Sequence, residues 1–340
     1  MIMKKILIAI SFLCLCLTIW AQPGGLDTSF ANNGKFVPPN NDYPNPSVQE
    51  ADAVVVQPNG KILMAGYGID YSDPSANTDF AVMRLNANGT PDNTFSGEGK
   101  AFIDFSRPDT SSIDFASKIV LQPDGKIIVV GFAYDFYYDA TNDTYNYYDI
   151  AVARLNADGS LDNTFNGNGK KLIDLANYTR VSGITNISAD FAYSGAIKSN
   201  GKIIIAGYTG YATATNGSND DAFIIQLNSN GSLDNNFNGD GIDIINTAER
   251  DEAIVGLAIQ PNSKILLSGY EVSKSDNLFD LLAIRVNPDG TLDNNFNTDG
   301  FAIFDGGSPE EYGFSVVLQS DNKIVMNGRE YFTDGTVGHI

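Results

Sequence analysis

The chain of 340 residues holds a single histidine, His339, one position from its end, and two cysteines, Cys14 and Cys16, close to its start. A Ser-His-Asp triad, a histidine-ligated metal and a thiolate site therefore have no material to be built from. Carboxylates remain. Asp114, Asp190, Glu252 and Glu311 stand at equivalent places ahead of successive apolar segments, and a pair of such acids could hydrolyse a glycosidic bond. Acid catalysis needs two carboxylates in different environments, however, and recurrence at equivalent places is the mark of architecture. Asn295-Phe296-Asn297-Thr298-Asp299-Gly300 matches half of a calcium loop, but Gly306 stands where a bidentate Glu belongs. No catalytic residue, metal or cofactor is assigned. The richer material is aromatic: Tyr134, Tyr137, Tyr138, Tyr145, Tyr147 and Tyr148 crowd into 132–149. Tyrosines on a loop offer an apolar face and a polar edge suited to sugar rings or protein surfaces. The same rings could instead pack on each other to order the segment.

The elements that must carry these residues repeat. A stretch typified by 159–170, with Asp162, Phe165, Gly167 and Gly169, is written five times, and its phenylalanines Phe30, Phe95, Phe165, Phe237 and Phe296 lie 65, 70, 72 and 59 residues apart. That spacing is the period of a supersecondary unit. Each unit has four short apolar segments, a to d, in the second unit 115–122, 126–131, 150–155 and 170–175. Their Val, Ile and Phe content favours strands. Pro58-Asn59-Gly60 and Pro123-Asp124-Gly125 join a to b with tight-hairpin chemistry, and turns such as Asn86-Ala87-Asn88-Gly89 follow c. The organising stretch becomes the c–d connection, in which Asp162 accepts bonds from nearby N–H groups and Phe165 turns inward.

Segment b is unbroken hydrophobic sequence, as in Ile127-Ile128-Val129-Val130, so both of its faces must be covered. Four-stranded antiparallel sheets set face to face around an axis meet that demand. The expectation is an all-β propeller of five blades, with 34–37 at one end completing the last unit at the other and closing the ring. Arg84, Arg154, Gln226 and Arg285 match in segment c, and Asp104, Asp174, Asn246 and Asp305 match nine residues past each phenylalanine. The unit that loses the arginine also loses the carboxylate, which suggests a structural pair across the c–d hairpin or to an adjacent blade.

Residues 1–21 read as an export signal, with Lys4 and Lys5 ahead of an apolar run over 6–19. Its removal leaves 22–340 as one domain, without cysteine and without an integral membrane segment. Loss of the two lysines also takes the formal charge from −20 to −22. Nucleic acid is a poor partner for such a chain.

The units Gln122–Ile127 and Arg154–Phe165 resemble the delta-60 repeats of bacterial β-propeller proteins across nearly the whole mature chain. The resemblance implies a propeller exported from a bacterium and often held at its surface. It implies no common activity. In some bacteria such proteins carry a carboxy-terminal sorting module; this sequence stops at Ile340 without one, which leaves the chain open to being a fragment. The b–c and d–a connections vary most and should emerge on one face. The reading is a secreted or surface-bound binding or adhesion module for a glycan or surface protein, using the tyrosine-rich loop face. Cleavage of extracellular glycans and a purely structural surface role are the alternatives.

Overall fold

The computed structural model describes residues 25–37, 50–70, 77–106, 112–139, 144–175, 188–213, 217–247, 250–332 and 334–339. The expected export signal lies outside them. Strand follows strand: β1 (Glu50–Val56), β2 (Ile62–Ile69), β3 (Thr78–Leu85), β4 (Lys100–Ile103), β5 (Ser112–Leu121), β6 (Ile127–Asp139), β7 (Thr144–Leu155) and β8 (Lys170–Ile173). The second half has β9 (Ser188–Ile197), β10 (Ile203–Thr213), β11 (Gly217–Leu227), β12 (Ile242–Ile245), β13 (Arg250–Ile259), β14 (Ile265–Ser273), β15 (Phe279–Val286) and β16 (Phe301–Phe304). β17 (Glu310–Leu318), β18 (Ile324–Tyr331) and β19 (Val337–His339) complete the chain. Among the described residues no helix is long and apolar enough to cross a membrane.

The strands form antiparallel groups in chain order, four of four strands and a last group of three. Single parallel pairs, Tyr148 with Ala189 and Phe279 with Glu310, tie the second group to the third and the fourth to the fifth. The unbroken apolar runs in the second strands explain how the groups stack. Ile127 and Val129 enter one core with Leu63 and Val82 of the preceding group, while Ile128 and Val130 enter another with Ile203 and Ile205 of the following one. Ile204 and Ala206 then face Ile265 and Leu267. Successive residues of a strand point to opposite faces, so each inner sheet is covered on both sides. The first strands of neighbouring groups lie side by side, β1 on β5, β5 on β9, β9 on β13 and β13 on β17.

Two expectations need correction. Residues 34–37 do not share a sheet with β17–β19: among the described residues Lys35 bridges only Ala31 and Asn32, and the last sheet ends at β19. The amino-terminal copy is held elsewhere, because the Ala31 N–H bonds the Asn88 carbonyl and Phe30 packs at Gly89. Apolar side chains on the flanks of the outer units stay exposed in consequence, among them Val54 at 67%, Val317 at 56% and Val325 at 42%. The stretch 132–149 is not a loop. Its backbone extends the β6–β7 hairpin as far as Asp139 and Thr144, with an irregularity between Asp135 and Tyr138.

Candidate functional site

The repeated stretch builds a charged node. In the second unit Thr164 N–H and its hydroxyl donate to Asp162 Oδ1, the Phe165 N–H bonds the Asp162 carbonyl, and the Phe165 ring is fully buried. Asp162 Oδ2 takes Lys126 and, at 2.7 Å, Arg154. Asp92 pairs likewise with Lys61 and Arg84, and Asp293 with Lys264 and Arg285, each contact 2.6 Å. Burial alone would raise the Asp92 carboxyl, but bonds from Lys61, Thr94 and Arg84 outweigh it and hold the pKa well below the usual carboxylate range. The Lys264 ammonium, working against burial and helped by Arg285, brings Asp293 to about 2.

The arginines therefore pair with Asp92, Asp162 and Asp293, and not with Asp104, Asp174 and Asp305. The unit with Gln226 makes up its lost cation from another strand. Lys198, which stands where other units have Gln57, Gln122 and Gln260, donates to Gln226 Oε1 at 2.7 Å and to the Pro288 carbonyl at 3.2 Å. Pro288 matches Ala157 and Ser229, the turn carbonyls in the next units that Arg84 and Arg154 reach. Cation and ring also stay together. Arg84, Arg154 and Arg285 lie 4.6–5.0 Å from the ring centroids of Phe95, Phe165 and Phe296, and Lys198 lies 5.9 Å from Phe237. Phe30 and Phe296 are only half-buried.

Asp104 and Asp174 belong instead to acidic clusters at the junctions between units. Asp79, Asp104 and Asp114 bring carboxylate oxygens within 4.8 Å of one another, and Asp149, Asp174 and Asp190 do the same. At the third junction Asn246 replaces the middle acid, and its amide donates to Asp221 at 2.6 Å beside Glu252. At the fourth the set is Asp280, Asp305 and Glu311. Burial, with neighbouring carboxylates, pushes Asp114 up to about 8, Asp190 to about 7 and Glu252 to about 8. The members on β3, β7, β11 and β15 were missed from sequence, although an Asp recurs near the start of every segment c.

The feature that faces open space arises from the backbone. Gly66, Gly131, Gly207 and Gly269 end the apolar run of each second strand, where a Cβ would fall 1.8–1.9 Å from a carbonyl oxygen of the first strand. Opposite each of them, and opposite Gly328, the first strand carries a β-bulge. The residues left unpaired are Asp52, Ser117, Tyr193, Val255 and Phe314. All five line one cavity of about 510 Å³, together with Phe115, Lys118 and Phe132. Bulges re-aim side chains, often beside binding sites. Here the backbone device repeats while the side chain it presents differs in every unit.

Partly exposed rings spread from the cavity wall. Phe132 lies 5.3 Å from Phe115, 5.0 Å from Phe191 and 6.0 Å from Tyr193, and Tyr193 stacks on Tyr208 at 5.7 Å. Tyr134 and Tyr148 pack on each other at 4.5 Å, and Tyr148 rests on Phe191 at 4.7 Å. Two of the six predicted tyrosines thus join this cluster. The side chains of Tyr137, Tyr138, Tyr145 and Tyr147 lie outside the described residues. Asp114, Asp190, Glu252 and Glu311 do not line the cavity, and each is at most 1% exposed. Among the described residues the one acid in its wall is Asp52.

Residues 57–95, 122–165, 198–237 and 260–296 match the model of a family described as "Domain of unknown function (DUF5122) beta-propeller". These are the a–b turn, second and third strands and c–d stretch of four units, and the match supports a β-propeller repeat family. The description does not name delta-60 repeats. Comparison with curated proteins yields no sequence match. Among solved structures, the endo-arabinase from Bacteroides thetaiotaomicron is 9% identical over 86% of this chain and 93% of its own, with a TM-score of 0.38. A mannose phosphorylase from Leishmania mexicana is 9% identical over 84% and 80%, with a TM-score of 0.36. The family 43 glycoside hydrolase YxiA from Bacillus licheniformis is 15% identical over 86% and 70%, also at 0.36.

Proposed function

We propose that the protein is an exported five-bladed propeller that binds a carbohydrate in its axial cavity. The shared cavity of the five bulges carries this reading: a repeated backbone device presents an acid, a hydroxyl, a phenol and two apolar side chains to a single space. A volume of about 510 Å³ is of ligand size. Sugars have apolar ring faces and polar edges, and Phe115, Phe132, Tyr193 and Phe314 offer the former a surface while Asp52, Ser117 and Lys118 offer the latter partners. The aromatic cluster about Tyr134 and Tyr148 extends that surface outward. Export, residence at the cell surface and the delta-60 likeness belong to the same proposal.

Cleavage of the bound glycan is the second reading, favoured by Asp114, Asp190 and Glu252, whose pKa values of about 8, 7 and 8 suit a general acid. Their burial away from the cavity weighs against it. The test is retention of the full chain on a glycan panel, with reducing-sugar release measured in parallel. Tyr193→Ala should weaken retention at least tenfold, since aromatic contacts of this kind dominate binding. Unchanged retention would refute the site, and sugar release abolished by Asp190→Asn would replace binding with hydrolysis.

A further inference from the structure

The first and third junctions each leave one oxygen of the first-strand acid, Asp114 Oδ1 and Glu252 Oε2, without a hydrogen-bond partner, and of these two only the first keeps three acids. Asp114 opens β5, is fully buried, and takes the Phe105 N–H on Oδ2 at 2.7 Å, yet its Oδ1 has no hydrogen-bond partner. In the next unit Asp190 Oδ1 takes the Thr209 hydroxyl at 2.6 Å, and Thr209 faces Asp190 across β9 and β10. The residue facing Asp114 across β5 and β6 is Ala133, which has no hydroxyl to give. A buried carboxylate oxygen without a partner is costly unless a charge or donor meets it.

Asp79 and Asp104 of the preceding unit stand beside Asp114, with one carboxylate oxygen from each of the three residues within 4.8 Å of the others. Oxygens that close can share one ion at calcium's bond length of about 2.3–2.6 Å, and calcium accepts irregular coordination where magnesium demands a near-ideal octahedron. At the third junction Asn246 stands where Asp104 does, and its amide donates to Asp221, a neutral contact in place of a third carboxylate. The ligands are hard oxygens only, which suits calcium and not a thiophilic or imidazole-seeking metal.

We propose that Asp79, Asp104 and Asp114 hold a calcium-type divalent cation that joins the first unit to the second. This differs from the sequence expectation of no metal. The site lies where β3 begins, β4 ends and β5 begins, so the ion fixes the connections that emerge on that side. It does not depend on glycan binding.

The full chain, stripped with EDTA and dialysed against radioactive calcium, tests the proposal. At least one equivalent should bind at about 1 mM, the range of extracellular calcium modules, and raise the Tm by about 1–3 °C at that concentration. Asp104→Asn copies the third junction and should lose one equivalent with its Tm in EDTA nearly unchanged. No bound calcium, or an unchanged count in Asp104→Asn, overturns the proposal. Should that variant fail to fold, Ala133→Thr gives Asp114 the hydroxyl that Asp190 has. It should then lower calcium affinity at least tenfold, and unchanged affinity overturns the proposal equally.

Discussion

Exchanging Lys198 and Gln226 for the residues of the second unit should rebuild its node. Lys198 is 8% exposed and makes two bonds as a charged donor, at 2.7 and 3.2 Å. Burial, and then the neighbouring Lys202, already lower the pKa of its ammonium. Lys198→Gln alone removes the cation that reaches Pro288 and should cost about 2 kcal/mol, within the range for hydrogen bonds to charged groups. Gln226→Arg alone crowds a third cation round Asp234, beside Lys198 and Lys202, and should cost about 2 kcal/mol. Together they recreate the Arg154–Asp162–Lys126 arrangement, with the arginine able to reach the Pro288 carbonyl as Arg154 reaches Ser229. The double variant should lie within about 1 kcal/mol of wild type, a coupling of about 3 kcal/mol. Equilibrium urea unfolding of the four proteins measures it. Additivity within about 0.5 kcal/mol would refute the idea that Lys198 and Gln226 together replace the arginine of the other nodes.

Other consequences follow from burial and geometry. Phe165→Ala empties a fully buried site and should cost about 3–5 kcal/mol, whereas Phe296→Ala, half-buried, should cost clearly less by the same urea titration; equal losses would contradict the packing. Gly131→Ala places a Cβ 1.9 Å from the Phe115 carbonyl oxygen, so a loss of at least about 2 kcal/mol is expected, and a wild-type midpoint would dismiss the bulge geometry. Asp190 and Glu252 have folded pKa values of about 7 and 8, above unfolded values of about 3.9 and 4.3. Between those limits the folded state binds more protons than the unfolded one. Stability should therefore be full below about pH 4 for these groups and fall as pH rises towards 8. The Tm in EDTA should drop from pH 5 to pH 8, and less steeply in Asp190→Asn; a rising Tm in both would contradict the assignment.

Much of the fold could be read from the sequence because it rests on local chemistry. Unbroken apolar runs demand two covered faces, and Asn-Gly and Asp-Gly turns set the hairpins. Long-range pairing was harder to read. Asp234 does not vary with Gln226, so Asp92, Asp162 and Asp293 gave no covariation signal, while the chance concordance of Gln226 with Asn246 pointed to Asp104 and its equivalents. The compensating change, Gln57, Gln122 and Gln260 against Lys198, stands at the end of segment a, far in sequence from Gln226 and Asp234. The tyrosine-rich 132–149 looked like a loop because Asp135, Asp139 and Asn142 interrupt it, yet its aromatic and Thr content is that of strands. The bulges leave no mark in residue type at Asp52, Ser117, Tyr193, Val255 and Phe314. Their only trace is the glycine recurring at the end of every second strand, whose meaning depends on a neighbour's register.

The proposed binding site exists only if five first strands turn their bulges towards one axis. Residues 22–340 contain no cysteine, so spin labels at Asp52→Cys and Phe314→Cys report one distance between the first and last units. Both positions line a cavity of about 510 Å³, and pulsed dipolar spectroscopy should return a label separation below about 25 Å, allowing for the tethers on a pocket of ligand size. Five sheets laid in an open row at about 10 Å spacing would separate the first from the last by about 40 Å. A distance near that value would contradict the axial cavity and the binding site built on it.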